Sequence, residues 1–220
     1  MNGASIPKQF IKVQNKPIII HTLDIFNKLD EIDGIVVVCI KDWISELERF
    51  VDEYGIEKVM SIVPGGETSQ LSIYNGLRCM VDDLHLNPQS IVMIHDGVRP
   101  LVSPDTVLRN LEVAKQTGCA ITVSSCIETV ISKDGDDLSI LNRDSCMLAR
   151  APQSFRLSDI ISSYEHSIKD NITNFIDSAT MVKYYGGSIN TVLGNPENIK
   201  VTTPIDVCML RALMDPYPRE

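Results

Sequence analysis

The chain has 220 residues, of which 44% are hydrophobic and 22% are charged, so it is long enough to bury a core without a disulfide or metal staple. This composition excludes a disordered or collagen-like chain. Twenty lysines and arginines against 29 aspartates and glutamates leave a net charge of −9, which argues against a general nucleic-acid or membrane-surface binder. An anionic substrate would therefore need a local cluster of cations.

The six cysteines form no CxxC pair and no zinc-ligand spacing, and most lie in apolar stretches, which predicts reduced structural thiols. The first residues are polar and lack the apolar core of a signal peptide. No apolar run reaches the ~18 residues that a membrane-spanning helix requires. These features predict a cytoplasmic protein with no membrane partner.

In the first half of the chain, apolar β-branched runs alternate with segments of helical periodicity. Four runs are typical of strands buried on both faces: Gly34–Ile40, Lys58–Pro64, Ser90–His95 and Ala120–Ser124. Three helices are predicted to follow strands: Asp42–Tyr54, Gln70–Asp83 and Pro104–Thr117. Strands that alternate with helices through short loops predict an α/β fold with a doubly wound, mostly parallel sheet of the Rossmann-like kind.

The alternation stops at Glu128–Arg150, where two short strands flank a turn at Asp134–Gly135 and predict a β-hairpin. An isolated hairpin is only marginally stable, so it must pack on its own domain or on a second subunit. The remaining predicted elements are helices at Leu157–Ser167 and Asp177–Tyr185, a strand at Asn190–Leu193 and a helix from Pro204 capped by Thr203. We find no linker or repeat, so residues 1–220 are predicted to form one domain.

Two loops follow predicted strands and carry residues suited to a ligand. Gly65 and Gly66 precede the helix that contains Ser72, and glycines there would let an anion approach the backbone, although an ordinary turn gives the same pattern. Asp96 and Arg99 follow the strand that ends near His95. A carboxylate at that point can hold Mg²⁺ or a hydroxyl, and the arginine can pair with it or neutralise a phosphate.

Three further cations are candidates for a phosphate site. Lys8 follows a proline that fixes its backbone, and a single ammonium is a common phosphate ligand. Lys200 lies between apolar neighbours just before a helix cap, where a charge needs a partner. Arg143 near the end of the hairpin is either part of a site or simply solvated. The sequence contains no nucleophile–histidine arrangement.

Six segments of the chain, taken in order, resemble the cytidylyltransferases that act on polyol phosphates, namely the 2-C-methyl-D-erythritol 4-phosphate and ribitol-5-phosphate cytidylyltransferase family. The resemblance covers essentially the whole chain. The segments are PKQF from Pro7, KPIIIHTL from Lys16, the segment Pro64–Ser72 that begins PGG, HDGVRP from His95, APQSF from Ala151 and NIKVTTP from Asn198.

The resemblance implies a reaction in which the phosphate of a polyol phosphate attacks the α-phosphorus of CTP and gives a CDP-polyol and pyrophosphate. In such a reaction the protein aligns the reactants and compensates charge. The resemblance implies that Lys8 and Lys200 are catalytic and bind the triphosphate. It also implies that Gly65, Gly66 and Ser72 line the cytosine pocket.

On the substrate side, the resemblance implies that Asp96 binds the polyol hydroxyls or the metal ion and that Arg99 supports it. Thr129 and Arg143 would reach from the hairpin arm, residues 128–150, into the substrate site of the second subunit of a homodimer, which makes Arg143 catalytic. Mg²⁺ is the expected cofactor, because a triphosphate carries about four negative charges that Lys8, Lys200 and Arg99 cannot offset alone.

Three positions depart from the family pattern. The family opens with a strand and a glycine-rich loop, roughly LAGGxGxRM, and Met1 falls at the last residue of that loop, so we expect either an upstream coding segment or a product without this phosphate-binding loop. Ser69 stands where arginine is frequent. Ala151 stands where threonine is usual, which removes one hydroxyl from the substrate side.

Two choices remain at this point. The KPIIIHT segment, Asp42–Ile44 and Val98 favour the ribitol-phosphate branch of the family over the methylerythritol-phosphate branch. A second hypothesis is a catalytically inactive nucleotidyltransferase fold that serves as a binding module or partner subunit. A receiver-like signalling domain is disfavoured, because the strand that ends at Pro64 lacks the acidic pair that such domains carry.

Overall fold

The structure is a computed structural model and describes residues 6–215. These residues form ten strands and seven α-helices. The strands are β1 Lys12–Val13, β2 Lys16–Pro17, β3 Ile35–Cys39, β4 Val59–Pro64, β5 Ile91–Ile94, β6 Cys119–Ser125, β7 Val130–Asp134, β8 Asp137–Leu141, β9 Met147–Arg156 and β10 Thr191–Leu193. The helices are α1 Ile18–Asn27, α2 Ile44–Glu53, α3 Ser69–Asp82, α4 Pro104–Thr117, α5 Leu157–Lys169, α6 Ser178–Tyr184 and α7 Pro204–Met214. Met1, and with it the expected end of the glycine-rich loop, lies outside the described residues.

The predicted α/β fold with a mostly parallel sheet is confirmed. One sheet has four strands in the order β10-β6-β9-β5, in which β6 and β10 are parallel and β9 runs antiparallel to both β5 and β6. A second pair, β3 and β4, is also parallel. Helices follow most of these strands and bury their apolar faces on them, as the alternation of the sequence predicts.

The sheet is in two parts where the sequence predicted one. Ile35 of β3 and Met93 of β5 pack on the same apolar cluster around Phe26 and Val107. Nevertheless, no hydrogen-bonded ladder joins β3 to β5 in the part of the chain that the structure describes. The two strands therefore share a core with α1 without being joined by backbone hydrogen bonds.

The long strand β9 is not predicted by the local sequence. The predicted hairpin includes residues 147–150, and residues 151–156 carry no predicted element, because Pro152, Gln153 and Ser154 are not typical of a central strand. In the structure the register between β9 and β6 shifts near the proline, which has no N–H to donate. The side chain of Gln153 bonds to Asp177 and to the backbone N–H of Ala179, so its polar groups connect the sheet to the start of α6.

Helix α1 was also missed, because three consecutive isoleucines, Ile18 to Ile20, resemble a strand. In the structure they are almost fully buried, as are Leu23 and Phe26 further along the same helix. Tertiary burial of this continuous apolar surface overrides the weak helix propensity of β-branched residues.

The predicted hairpin is present. Strands β7 and β8 pair antiparallel from Val130–Leu141 to Asp134–Asp137, and Gly135 adopts the left-handed conformation (φ +58°) that the tight turn requires. Almost every residue of the two strands is exposed. All six cysteines are free thiols. None of the helices in residues 6–215 is both long and apolar enough to cross a membrane.

Candidate active site

The centre of the site is the turn that follows β5. The backbone N–H of Arg99 donates to the carbonyl oxygen of Asp96 (3.0 Å), which closes the turn. The guanidinium Nε of Arg99 donates to Oδ2 of Asp96 (2.9 Å), and Nζ of Lys200 donates to Oδ1 (2.8 Å). One carboxylate thus holds two cations, one on each oxygen.

Lys200 reaches this carboxylate because the segment before α7 is fastened to the β5 turn. The backbone N–H of Val201 donates to the carbonyl oxygen of Val98 (2.9 Å), and the side chain of Val201 is buried. Nη1 of Arg99 donates to the carbonyl oxygen of Asn198 (2.9 Å). Residues about one hundred positions apart are therefore joined at a single point.

The electrostatic state of Asp96 follows from these contacts. Burial opposes ionisation of the carboxyl, but the hydrogen bonds from Lys200 and Arg99 outweigh it and hold the pKa of Asp96 below its usual range. Arg99 is only 10% exposed and Lys200 44% exposed, so one cation is fixed in the wall of the site while the other faces solvent. Asp96 is accordingly charged at neutral pH and anchors both cations.

A third cation, Arg150, belongs to the same cluster, and the sequence analysis did not find it. Its Nη1 donates to the carbonyl oxygen of Asn198 (2.9 Å), the same atom that accepts from Arg99. Burial, and secondarily the charge of Arg99, lower the pKa of Arg150. The one sequence signal that could have pointed to Arg150 is its position directly before Ala151, where this chain departs from the family pattern.

The glycine loop forms a second group at the end of β4. The backbone N–H of Gly66 donates to Oγ of Ser72 (3.0 Å), and that hydroxyl donates to the carbonyl oxygen of Thr68 (2.9 Å). A Cβ on Gly66 would lie 2.7 Å from the Cβ of Leu71, so the loop approaches the helix too closely for any other residue. Ser72 therefore holds the loop against the first turn of α3.

The other predicted site residues stand apart within one chain. Lys8 is exposed in a short 3₁₀ turn that Phe10 anchors by stacking on Trp43 (4.6 Å between ring centroids). Thr129 is exposed, and Nη1 of Arg143 donates to the carbonyl oxygen of Ile127 (3.2 Å) on the arm. Among the described residues, no hydrogen bond or ion pair connects these three side chains to Asp96 or to the glycine loop.

The residues present fit a resident metal ion poorly. Residues 6–215 contain no group of three or more histidine, cysteine, aspartate or glutamate side chains that could hold a metal. Each oxygen of Asp96 already accepts from a cation, and Arg99, Arg150 and Lys200 give its surroundings positive charge. A divalent cation bound directly to Asp96 would lie close to Lys200 and Arg99 and be repelled by both charges.

Comparisons with known proteins identify the family of the chain. Residues 2–215 match the family model of IspD, 2-C-methyl-D-erythritol 4-phosphate cytidylyltransferase. The ribitol-5-phosphate cytidylyltransferase of Vibrio parahaemolyticus is 42% identical over 217 residues, which are 98% of this chain and 90% of the relative. The 2-C-methyl-D-erythritol 4-phosphate cytidylyltransferase of Clostridium botulinum (strain Loch Maree) is 34% identical over 216 residues, 97% of this chain and 91% of the relative.

A solved structure with the same fold is 4-diphosphocytidyl-2C-methyl-D-erythritol synthase from Anaerococcus prevotii. It superposes with a TM-score of 0.83 at 27% identity and covers 94% of this chain and 90% of its own. The family match and the curated relatives therefore define the chain as a nucleotidyltransferase. The chain belongs to the 2-C-methyl-D-erythritol 4-phosphate cytidylyltransferase family.

The histidine beside the site gives the protein a testable acid sensitivity. Nε2 of His95 lies 3.2 Å from the carbonyl oxygen of Arg99, while its Nδ1 is buried with no hydrogen-bond partner in the described structure. Burial lowers the pKa of His95 to about 4. The native state therefore resists a proton that the unfolded chain accepts below the ordinary value of 6.5, so stability is lost as the pH falls from 6.5 towards 4.

We predict that His95→Asn removes this loss. Between pH 7 and pH 4, the unfolding free energy of the wild type should fall by about 3 kcal/mol more than that of the variant. Urea denaturation at several pH values measures it, with the exposed His85→Asn as the matched control. A difference that stays constant with pH would contradict the burial of a neutral imidazole.

Proposed function

We propose that the protein transfers CMP from CTP to ribitol 5-phosphate and releases pyrophosphate. The observation that carries the proposal is the cluster of Asp96, Arg99 and Lys200 at the carboxyl end of β5, in a chain that belongs to a cytidylyltransferase family. Two cations fixed on a single carboxylate leave positive charge free for a phosphate. In a chain of net charge −9, such a local excess needs an anionic ligand to explain it.

The chemistry asks for alignment and charge compensation. An oxygen of the acceptor phosphate forms a bond to the α-phosphorus of CTP while the bond from that phosphorus to the bridging oxygen breaks, and pyrophosphate leaves with the electron pair. Lys200 is placed to oppose the charge that grows on the α-phosphate, and Lys8 binds the triphosphate from the exposed surface of its 3₁₀ turn. Asp96 positions Lys200 and meets the acceptor's hydroxyls.

The nucleotide base is assigned to the glycine loop. Gly65 and Gly66 let the loop pack closely against α3, and Ser72 keeps the loop in one conformation by bonding to Gly66 and Thr68. In this proposal Ser72 is a positioning residue, because its hydroxyl is already engaged within the loop. Cytosine is then recognised chiefly by backbone groups of the loop.

Magnesium enters the proposal as part of the substrate. The triphosphate carries about four negative charges, and a divalent ion bound to phosphate oxygens offsets them with little help from protein ligands. Since both oxygens of Asp96 are engaged by Lys200 and Arg99, the phosphates of CTP are the better ligands. The nucleotide substrate would thus be the magnesium complex of CTP.

Ribitol 5-phosphate is preferred as the acceptor on two grounds. The relatives that match at 41–42% identity are ribitol-5-phosphate cytidylyltransferases, whereas the methylerythritol-phosphate enzymes match at 34%. The KPIIIHT segment, which forms β2 and the first half of α1, also favours that branch. The second candidate acceptor is 2-C-methyl-D-erythritol 4-phosphate.

The direct test is pyrophosphate release from CTP with each of the two polyol phosphates in turn. We expect turnover with ribitol 5-phosphate to exceed turnover with 2-C-methyl-D-erythritol 4-phosphate, and Lys200→Ala to lower kcat about 100-fold or more, since it removes charge compensation in the transition state. Lys115→Ala, an exposed lysine at the end of α4, is the matched control. Turnover of neither acceptor would favour the inactive binding module, and faster turnover of the methylerythritol phosphate would reverse the choice of substrate.

We also propose that the arm completes the active site of a second subunit. Ile131, Leu138 and Ile140 expose 58%, 64% and 76% of their surface, so the arm carries an apolar surface that its own chain does not cover. Beside the arm, an open groove of about 520 Å³ is lined by apolar residues that include Val123 and Met147. A second copy of the chain would cover both surfaces, because a two-fold contact is self-complementary. Thr129 and Arg143 would then reach the partner's acceptor site.

Mixing two inactive variants tests the shared site. In a heterodimer of Arg143→Ala and Lys200→Ala chains, both lesions fall in one site and the other site is intact. After subunit exchange, an equal mixture should regain about one quarter of the wild-type activity, because half of the dimers are mixed and each has one intact site.

The control is the Arg143→Ala/Lys200→Ala double variant, which should regain nothing when mixed with either single variant at the same concentration. A mixture of single variants that remains inactive, although mixed dimers are detected, would show that Arg143 serves its own chain. A fully active monomer in sedimentation would exclude the shared site altogether.

A further inference from the structure

Arg150 in β9 is held by neutral groups on two other segments. Its Nε donates to Oγ of Ser124 (2.8 Å), a buried residue at the end of β6, and its Nη1 donates to the carbonyl oxygen of Asn198 (2.9 Å). No carboxylate in residues 6–215 forms an ion pair with it. A half-buried guanidinium without a counter-ion is costly unless a ligand supplies one.

The carbonyl oxygen of Asn198 that accepts from Arg150 is fixed in place and also accepts from Arg99. Asn198 is fully buried, and its Nδ2 donates to the carbonyl oxygen of Ala151 (2.7 Å), the residue that follows Arg150. The carbonyl oxygen of Asn198 then accepts from Arg99 as well as from Arg150, at 2.9 Å in both cases. Two guanidinium groups of like charge are thereby brought together at one oxygen.

The charges in this cluster do not balance. Arg99, Arg150 and Lys200 carry three positive charges, and Asp96 is the single negative charge that pairs with any of them in the described structure. The excess positive charge is available to phosphate groups, and a guanidinium offers a planar fork of donors suited to phosphate oxygens.

The position of Arg150 separates it from the glycine loop. Gln153 of β9 lies opposite Ile94 at the end of β5, and Leu148 lies opposite Ser124 at the end of β6, so Arg150 stands beyond the β5 end on the β6 side. The glycine loop belongs to the separate β3–β4 pair. The acceptor and the nucleotide base thus have different sides of Asp96 available to them.

We propose that Arg150 binds the phosphate group of the polyol phosphate acceptor and helps to select it. The proposal rests on the cytidylyltransferase function proposed above. Where the family usually has a threonine hydroxyl on the substrate side, this chain has Ala151, and the charged side chain of the neighbouring Arg150 supplies a contact in its place. Acceptors whose hydroxyls, when bound at Asp96, place the phosphate at a different distance lose this contact.

Steady-state kinetics of Arg150→Met separate acceptor binding from nucleotide binding. KM for ribitol 5-phosphate should rise roughly 10- to 100-fold, as expected for loss of charged hydrogen bonds, while KM for CTP changes less than about threefold. Arg150→Lys retains the charge without the fork and should recover part of the affinity. Arg109→Met, an exposed arginine of α4, is the matched control and should leave both values unchanged.

Calorimetric titration of ribitol 5-phosphate into the wild type and both Arg150 variants gives a readout that does not depend on turnover. Equal acceptor affinity in wild type and Arg150→Met, or a rise in KM for CTP alone, would overturn the proposal while leaving the transferase function intact. Absence of pyrophosphate release by the wild type would instead refute the proposed function. If the wild type also failed to bind the polyol phosphate, both would fall.

Discussion

The ion pairs on Asp96 are the contacts on which the site depends. They join the turn after β5 to the segment before α7, and they hold Nζ of Lys200 2.8 Å from the carboxylate that follows β5. Without that carboxylate, Arg99 and Lys200 would repel one another, and Lys200 would be free to leave the site. The negative charge of Asp96 thus organises a positive site.

This arrangement also reconciles the acidic composition with an anionic substrate. A net charge of −9 keeps the rest of the surface unattractive to nucleic acids and other polyanions. The cations are concentrated where Arg99 and Arg150 converge on the carbonyl oxygen of Asn198. Because Arg99 is almost fully buried, its field is less screened by solvent than that of a surface arginine.

Much of this structure could be predicted from the sequence. The predicted helices and sheet strands agree with the observed bounds within two residues, since continuous apolar runs and good N-caps such as Ser103 at α4 are strong local signals. Strand β9 and helix α1 were missed because tertiary contacts override local propensity there: Pro152 is tolerated at a register shift, and the isoleucines of α1 are buried.

The site was predictable where a motif marks it and not where only three-dimensional proximity does. Asp96, Arg99 and Lys200 belong to recognisable segments, and the structure brings them together. Arg150 has no motif of its own, and its proximity to Arg99 becomes visible only in the structure, where both donate to the carbonyl oxygen of Asn198, 48 positions from Arg150. The split between β3 and β5 likewise has no signal in local periodicity.

The most direct test of this account is the pKa of Asp96, measured from its carboxyl ¹³C shift during a pH titration of the folded protein. The account predicts a midpoint clearly below the ordinary value of 3.8 in the wild type, and a higher midpoint in Lys200→Met, where one of the two cations is gone. A wild-type midpoint at or above 3.8 that the Lys200→Met substitution does not change would contradict the view that Asp96 anchors the cations of the active site.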